Sequence, residues 1–224
     1  MRGRIAVIAP VVDTGAVPLD TALAQARADG WTVSHRYLDG GPTSIENEAE
    51  AEACIPWLLR AAEAEMAAGD VAALVVNCMC DPGVGVLRER LGVPVVGPAQ
   101  ACMHLLAGLG LRFSVLDVVE EAREEVEKQV REFGLWSAFA SHRAIQVPLL
   151  EIYKDRAGAA AALAAQARAA VAEDGAQALL LGCTGFSELA ADLRSELARG
   201  PDVPVIEPLE TAIALAKLAA AARP

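Results

Sequence analysis

The chain has 224 residues and a formal net charge of −11, and five of its residues are cysteines. This length allows one large domain or two small ones, and the acidic balance excludes a nucleic-acid partner, because no basic stripe could displace counterions from phosphates. The odd number of cysteines, the lack of a secretory leader pattern and the absence of ~18 consecutive apolar residues predict a soluble, cytoplasmic protein with reduced thiols and no membrane partner.

Short apolar strand patterns alternate with longer alanine-rich helical segments, which is typical of β-α-β units around mostly parallel sheets. Eight strands are predicted, at residues 4–10, 32–38, 71–77, 93–97, 112–118, 142–147, 176–182 and 203–207. Helices are predicted at residues 45–68, 119–133, 156–174 and 208–222. Ser44 is the expected N-cap of the first of these helices.

The eight strands form two sets of four, which indicates an internal duplication. Matching segments recur at offsets of 105 to 110 residues, including Ser34-His35-Arg36 with Ser141-His142-Arg143 and Val93–Pro98 with Val203–Pro208. Valine-rich strands resemble one another by chance, but the Ser-His-Arg and Val-Pro-Val echoes argue against that explanation. We therefore predict an α/β fold of two pseudo-symmetric flavodoxin-like three-layer domains, each with a mostly parallel four-stranded sheet, facing each other about a pseudo-twofold axis.

The duplication places one cysteine at the same position in each half. Cys78 follows the third strand of the first half and Cys183 follows the third strand of the second. In doubly wound sheets, ligands bind at this end of the strands. Helix starts are predicted just after them, at residues 81–83 and 184–187, and the positive end of a helix dipole lowers the pKa of a nearby thiol. A single cysteine there is more often a small core residue, but the repeated pair predicts two walls of one cleft.

Two opposed thiols suit the inversion of a carbon acid. One cysteine, as thiolate, removes a proton from one face of a carbon, and the other, as thiol, returns a proton to the opposite face. Backbone N–H groups of residues 79–80 and 184–185 would stabilise the enolate. Such a design requires neither a metal nor a cofactor, and no zinc-type spacing or GxGxxG sequence accompanies it. The remaining candidates are interpreted as structural, namely His35 and His142 in strands and Cys54 and Cys102 in helices.

Three motifs in the chain resemble those of one enzyme family. Residues 41–46 (GPTSIE), 78–83 (CMCDPG) and 181–185 (LGCTG) resemble the GPxSIE, CFxDPG and LGC motifs of the aspartate/glutamate/hydantoin racemase superfamily, most closely its hydantoin/allantoin branch. The resemblance implies cofactor-independent racemisation by Cys78 and Cys183 and a homo-oligomer, dimeric or larger. It also implies two domains, 1–97 with 206–224 and 98–205, with the active site in the cleft between them.

Two departures from the family pattern bear on the substrate. The family's first strand commonly ends in NPNT, whose asparagine and threonine help to hold the substrate, whereas only the proline remains here. Paired threonines that many members carry after the fifth strand are replaced by an aspartate and a valine. We therefore expect a neutral ring such as a hydantoin, or an apolar-substituted acid, more than aspartate or glutamate. The expected substrate-binding residues are Pro10, Val11, Met79, Cys80, Asp117, Val118, Thr184 and Gly185.

Two other functions stay open, both with a small-molecule partner. A cis–trans isomerase of a maleate-like diacid, from a branch of the same superfamily, would add one cysteine covalently to the alkene. A related arylmalonate-type decarboxylase normally keeps only one of the two cysteines, and both are present here. A binding or sensor protein that kept the fold after losing catalysis would explain the missing substrate-holding residues, and it would have ordinary, unreactive thiols.

Overall fold

The computed structural model describes residues 3–15, 23, 30–147, 149–152, 154–198 and 202–223. These residues form two compact units. The first contains the described residues up to Gly15, those from Gly30 to Ala101 and those from Leu209 onward, and the second runs from Cys102 to Pro208. In the described part of the chain, no helix combines the length and the hydropathy needed to span a bilayer.

The first unit is built on a four-stranded parallel sheet with the order β2-β1-β3-β4. Its strands are β1 (Arg4–Val12), β2 (Thr32–Leu38), β3 (Val71–Val76) and β4 (Val95–Val96). Its helices are α1 (Glu48–Ala67), α2 (Val84–Arg90) and the beginning of α3 (Pro98–Gly108). Apolar side chains of β1 and β3 form a core with the buried face of α1, where Cys54 and Leu58 are fully buried.

The second unit repeats this topology with a parallel sheet in the order β6-β5-β7-β8. Its strands are β5 (Phe113–Asp117), β6 (Phe139–Ala144), β7 (Ala178–Leu181) and β8 (Val205–Ile206). Its helices are α4 (Arg123–Glu132), α5 (Leu149–Ile152), α6 (Arg156–Asp174) and α7 (Ala190–Leu197), with 3-10 turns at Glu120–Ala122, Trp136–Ala138 and Thr184–Leu189. The last helix, α8 (Pro208–Ala221), leads back into the first unit.

The pairing register confirms the predicted duplication. Val7 pairs with His35 in the first sheet, and Val115 pairs with His142 in the second. Farther along, Leu74 pairs with Val95, and Leu179 pairs with Val205. The two echoed segments therefore hold the same places in two sheets of the same order, which confirms the predicted fold class.

The Ser-His-Arg echo has a structural explanation in each half. In β6, Ser141 and Arg143 both bind the carboxylate of Asp174 at the end of α6, at 2.5 Å and 2.6 Å. In β2, Ser34 and Arg36 bind the carboxylate of Glu65 in α1 in the same way, at 3.3 Å and 3.0 Å. Since side chains alternate along a strand, the histidine between them faces the opposite side of the sheet.

Several predicted boundaries are wrong by a few residues, for physical reasons. The sixth strand is Phe139–Ala144 instead of 142–147. Helix α1 starts at Glu48, because Asn47 rather than Ser44 caps it by accepting the Glu50 N–H at 3.0 Å. Strands β4 and β8 keep only two residues each, because each follows a proline, which has no N–H to donate to the ladder. The predicted helix 119–133 divides into a 3-10 turn and α4.

Candidate active site

Cys78 lies directly after β3, at the carboxyl end of the first sheet. The preceding residue, Asn77, extends the pairing of β1 and β3, since its N–H donates to the Ile8 carbonyl at 2.8 Å. The Cys78 N–H then donates to the Val76 carbonyl at 2.9 Å, which turns the chain out of the sheet. Cys78, Met79 and Cys80 are partly exposed there.

Cys183 occupies the equivalent place in the second unit. The preceding Gly182 extends the pairing of β5 and β7 by donating its N–H to the Leu116 carbonyl at 2.7 Å. The Sγ of Cys183 accepts the Gly185 N–H at 3.3 Å and caps the 3-10 helix Thr184–Leu189. The predicted helix start after Cys183 is therefore confirmed, with the partly exposed sulfur at its N-terminus.

The helix start predicted at residues 81–83 is wrong. Helix α2 begins only at Val84, and both Asp81 (φ 47°) and its N-cap Gly83 (φ 67°) have left-handed backbone conformations. Cys78 is instead followed by a turn in which its carbonyl accepts the Asp81 N–H at 3.0 Å. The helix is delayed because the Asp81 side chain is engaged elsewhere, so the expected dipole of α2 does not begin beside this thiol.

The carboxyl group of Asp81 caps helix α3. Its two oxygens accept the N–H groups of Ala99 at 3.0 Å and Gln100 at 2.8 Å. Burial raises the pKa of this carboxyl to about 7, against the lowering effect of the two N–H donors and of Arg88. A Cβ on Gly97 would lie 2.3 Å from the Asp81 Cγ, so a glycine is required at the end of β4.

A buried carboxylate, Asp117, lies beside the segment that carries Cys183. Asp117 is 4% exposed, and its Oδ1 accepts the Val118 N–H at 2.7 Å. Its Oδ2 lies 3.5 Å from the Nε2 of His142 and 2.8 Å from where a Cβ on Gly182 would be. His142 is 1% exposed, and neither of its ring nitrogens has a hydrogen-bond partner among the described residues. The carboxylate thus fills the space that Gly182 leaves open.

Another buried carboxylate links the Cys183 loop to the end of β8. Glu207 is 1% exposed, and its Oε1 accepts a hydrogen bond from the Ser187 hydroxyl at 2.7 Å. Glu207 is the counterpart of Gly97 in the repeated Val-Pro-Val segment. This glutamate is a polar residue within an apolar pattern, which is the signal that could have singled it out.

The predicted site residues come together in two groups, one in each unit. Pro10, Val11, Met79 and Cys80 lie at the carboxyl ends of the neighbouring strands β1 and β3, and Asp117, Val118, Thr184 and Gly185 lie at the corresponding ends of β5 and β7. Asn77, Asp81 and Glu207 lie beside the cysteines or at the loops that follow them, and no functional role was predicted for them from the sequence. His142, interpreted from the sequence as structural, lies near Asp117. Among the described residues, no group of three or more histidine, cysteine, aspartate or glutamate side chains could hold a metal ion.

Comparisons with known proteins define the class of this enzyme as a racemase, which is an isomerase. The chain belongs to the Asp/Glu/Hydantoin racemase family, whose model matches residues 19–216. It is 30% identical to the hydantoin racemase of Paenarthrobacter aurescens over 196 residues, covering 88% of this chain and 81% of that protein. It is 33% identical to the hydantoin racemase of Rhizobium meliloti over 176 residues, covering 79% and 71%.

A solved structure supports the same branch of the family. The allantoin racemase from Klebsiella pneumoniae superposes with a TM-score of 0.87 at 28% identity, covering 98% of this chain and 88% of that one. The chain is thus a member of the hydantoin/allantoin branch with two flavodoxin-like halves. The resemblance seen in the three sequence motifs is confirmed.

Proposed function

We propose that this protein is a cofactor-independent racemase or epimerase that acts on a hydantoin, or a related carbon acid, by two-base proton transfer between Cys78 and Cys183. The observation that carries the proposal is the equivalence of the two cysteines. Each lies one residue beyond a backbone hydrogen bond that joins the central two strands of its sheet. A pair of thiols placed identically by duplication suits a reaction that must treat both faces of one carbon.

The proton transfer follows from thiol chemistry. The thiolate of one cysteine takes the proton from the acidic carbon, the electron pair moves into the adjacent carbonyl, and the other thiol gives its proton to the opposite face. Backbone N–H groups at residues 79–80 and 184–185 stabilise the enolate oxygen in this proposal. The first cysteine ends as a thiol and the second as a thiolate, so the opposite enantiomer uses the reverse roles.

The substrate part of the proposal rests on the chemistry of the strand ends. Val11 offers only apolar surface, and the Asp117 carboxylate is already engaged by the Val118 N–H. Neither residue suits a free carboxylate substrate, whereas a neutral ring with N–H groups can approach both. We propose substrate contacts for the eight predicted residues and a cleft between domains 1–97 with 206–224 and 98–205. A homo-oligomer in a reducing, cytoplasmic compartment completes the proposal.

Deuterium incorporation from D₂O into an enantiopure 5-substituted hydantoin, followed together with optical rotation, tests the reaction. We expect Cys78→Ala and Cys183→Ala each to lower the racemisation rate by about 10³-fold, within the range for removing a general acid or base. Cys102→Ala is the matched control, because Cys102 is fully buried in a helix, and it should keep near-normal turnover. Undiminished racemisation in both active-site variants would falsify the two-base mechanism.

A non-catalytic binding protein is the second candidate, and the apolar Val11 and the replaced threonines favour it. Thiol reactivity separates the two candidates. The pKa of the Cys54 thiol is raised to about 11, mainly by burial and to a smaller extent by the charge of the nearby Cys80. Cys54 therefore provides an unreactive reference. Iodoacetamide labelling of Cys78 and Cys183 well ahead of Cys54 supports the enzyme, and equal slow labelling supports the binder.

A further inference from the structure

The two halves differ in which strand brings a polar side chain to the position that directly precedes the cysteine. In the first half it comes from the end of β3, and in the second it comes from β5, the equivalent of β1. Asn77 and Gly182 are equivalent, because each directly precedes its cysteine and donates its N–H to the neighbouring central strand. Ala9 and Asp117 are equivalent by the 108-residue offset of β1 and β5. The first half therefore has the methyl group of Ala9 and the amide of Asn77 at these two positions. The second half has the carboxylate of Asp117 and a glycine without a side chain, Gly182.

In the first half, the polar side chain belongs to Asn77. Asn77 is 6% exposed, and its Oδ1 has no hydrogen-bond partner in the described part of the chain. The neighbouring Ala9 is also buried and brings no polar group. The side chain next to Cys78 is thus electrically neutral.

In the second half, the polar side chain belongs to Asp117 and is ionisable. It reaches across to Gly182, which has no side chain of its own, at a distance that no Cβ would allow. The carboxylate is directed by the Val118 N–H on one oxygen and lies near His142 on the other. The Asp117 carboxylate therefore lies against Gly182, the residue that directly precedes Cys183.

Other charged groups contact Asp117 or the segments that follow the two cysteines. Near Asp117, His142 lies between that carboxylate and Glu120, and Arg123 binds both Glu120 and the His142 carbonyl. Glu207 lies behind the loop that follows Cys183. In the first half, Asp81 is bound to the N-terminus of α3, whose N–H groups offset its charge. Two carboxylates of the second half, Asp117 and Glu207, stand where the first half has the uncharged Ala9 and Gly97. Asp117 is the one of these two that reaches Gly182, the residue next to Cys183.

We propose that Asp117 and Asn77 are positioning residues that make the two cysteines unequal, with Cys78 the thiolate and Cys183 the thiol in the resting enzyme. This inference rests on the proposed two-base function. A carboxylate disfavours a second negative charge nearby, whereas a neutral amide does not. Since the two enantiomers are equally stable, the inequality cannot alter the ratio of their kcat/KM values. It appears as different kcat values for the two enantiomers, compensated by different KM values.

The pH dependence of alkylation, measured separately at each thiol, tests the inference without requiring turnover. Trypsin releases the peptide 169–194, in which Cys183 is the one cysteine. It also releases the peptide 61–88, in which fragment ions distinguish alkylation of Cys78 from alkylation of Cys80. With iodoacetamide, Cys78 should reach half-maximal rate at a lower pH than Cys183. In Asp117→Asn, the Cys183 curve should move to lower pH, with a rate increase of at least about threefold below its midpoint.

The reciprocal variant places the charge in the other half. Asn77→Asp should move the Cys78 curve to higher pH and leave the Cys183 curve in place. Because a new buried carboxylate could prevent folding, Asp117→Ala is the second test. It copies the alanine of the first half and should also move the Cys183 curve down, in a protein whose circular dichroism matches that of the parent.

The outcomes separate this inference from the proposed function. Reactive Cys78 and Cys183 with curves that neither aspartate variant moves would overturn the inference and leave the two-base function standing. Thiols no more reactive than Cys54 at every pH would overturn both. Movement of the Cys183 curve alone in Asp117→Asn, with different kcat values for the two enantiomers in the parent, supports the assignment.

Discussion

The two halves of this protein share their strand order, their pairing register and a Ser-Arg clamp, in which a serine and an arginine of one strand bind a helix carboxylate (Ser34 and Arg36 on Glu65, Ser141 and Arg143 on Asp174). They nevertheless place different carboxylates at the same edge of the sheet. In the first half, the carboxyl comes from Asp81 in the loop after the cysteine, and it reaches towards Gly97 and the following helix. In the second, it comes from Glu207, the counterpart of Gly97, and reaches back to Ser187 in the loop. In both halves a carboxylate joins the loop after the cysteine to the segment that follows the last strand. The loop supplies this carboxylate in the first half, and the segment after the last strand supplies it in the second.

The largest expected effect concerns the close approach at Gly97. In Gly97→Ala, the new Cβ would collide with the Asp81 carboxyl, so the carboxyl must leave the two N–H groups of α3. We expect a loss of about 2–4 kcal/mol in the free energy of unfolding, measured with urea. Gly85→Ala is the matched control, because Gly85 lies within α2 and a Cβ there meets no atom within 4 Å. An equal loss in both variants would contradict the proposed link.

The next effect is a pH dependence of the free energy of unfolding, which comes from Asp81 in the first half. The pKa of Asp81 is raised to about 7 in the folded protein, whereas an unfolded aspartate titrates near ~3.9. The unfolded chain therefore loses this proton first, and Asp81 makes stability fall as the pH rises from about 4 to about 7. Asp81→Asn should remove up to about 3 kcal/mol of that fall.

Urea unfolding of Asp81→Asn and the parent at pH 4.5 and 7.5 measures this difference. The asparagine is neutral like the protonated carboxyl, but its NH2 group cannot accept the second N–H of α3, so the variant should be less stable than the parent at the lower pH. The variant should then gain relative to the parent at the higher pH. A parallel change in both proteins would mean that Asp81 titrates normally.

A smaller effect distinguishes the two Ser-Arg clamps. Arg143 is a main partner of Asp174 and lowers the pKa of that carboxyl, whereas Glu65 keeps Arg4 when Arg36 is removed. We expect Arg143→Met to lower the free energy of unfolding by about 1–2 kcal/mol and Arg36→Met by about 0.5 kcal/mol or less. Urea titrations of the two single variants provide the measurement, and the reverse ranking would contradict the role of Arg4 as the second partner of Glu65.

The sequence predicted what depends on local pattern and repetition. Alternating apolar segments located all eight strands, and the repeated cysteine placed Cys78 and Cys183 at strand ends, because a strand pattern also shows where the strand stops. The start of α2 could not be predicted, since it depends on Asp81 binding N–H groups 18 and 19 residues away. The same applies to Asp117, whose contacts with His142 and Gly182 come from other strands and follow only from the folded sheet.

The smallest expected effect compares the two histidines that the repeat places at the same position. His142 lies beside the Asp117 carboxylate, whereas the residue equivalent to that aspartate beside His35 is an alanine. In His142→Gln, the ring nitrogen that lies 3.5 Å from the Asp117 Oδ2 is replaced by the amide of a more flexible side chain. The polar group that faces the Asp117 carboxylate is then held less firmly and offsets less of its charge, so alkylation of Cys183 at neutral pH should slow by about twofold, a small fraction of a full charge effect.

His35→Gln is the control for the other half and should leave the alkylation of Cys78 unchanged. If both variants slowed their own cysteine equally, the histidines would act through packing that the two halves share. A change confined to Cys183 means that the asymmetry comes from the carboxylate. The duplicated scaffold then provides two equivalent places for a thiol, and a single aspartate makes those two places chemically different.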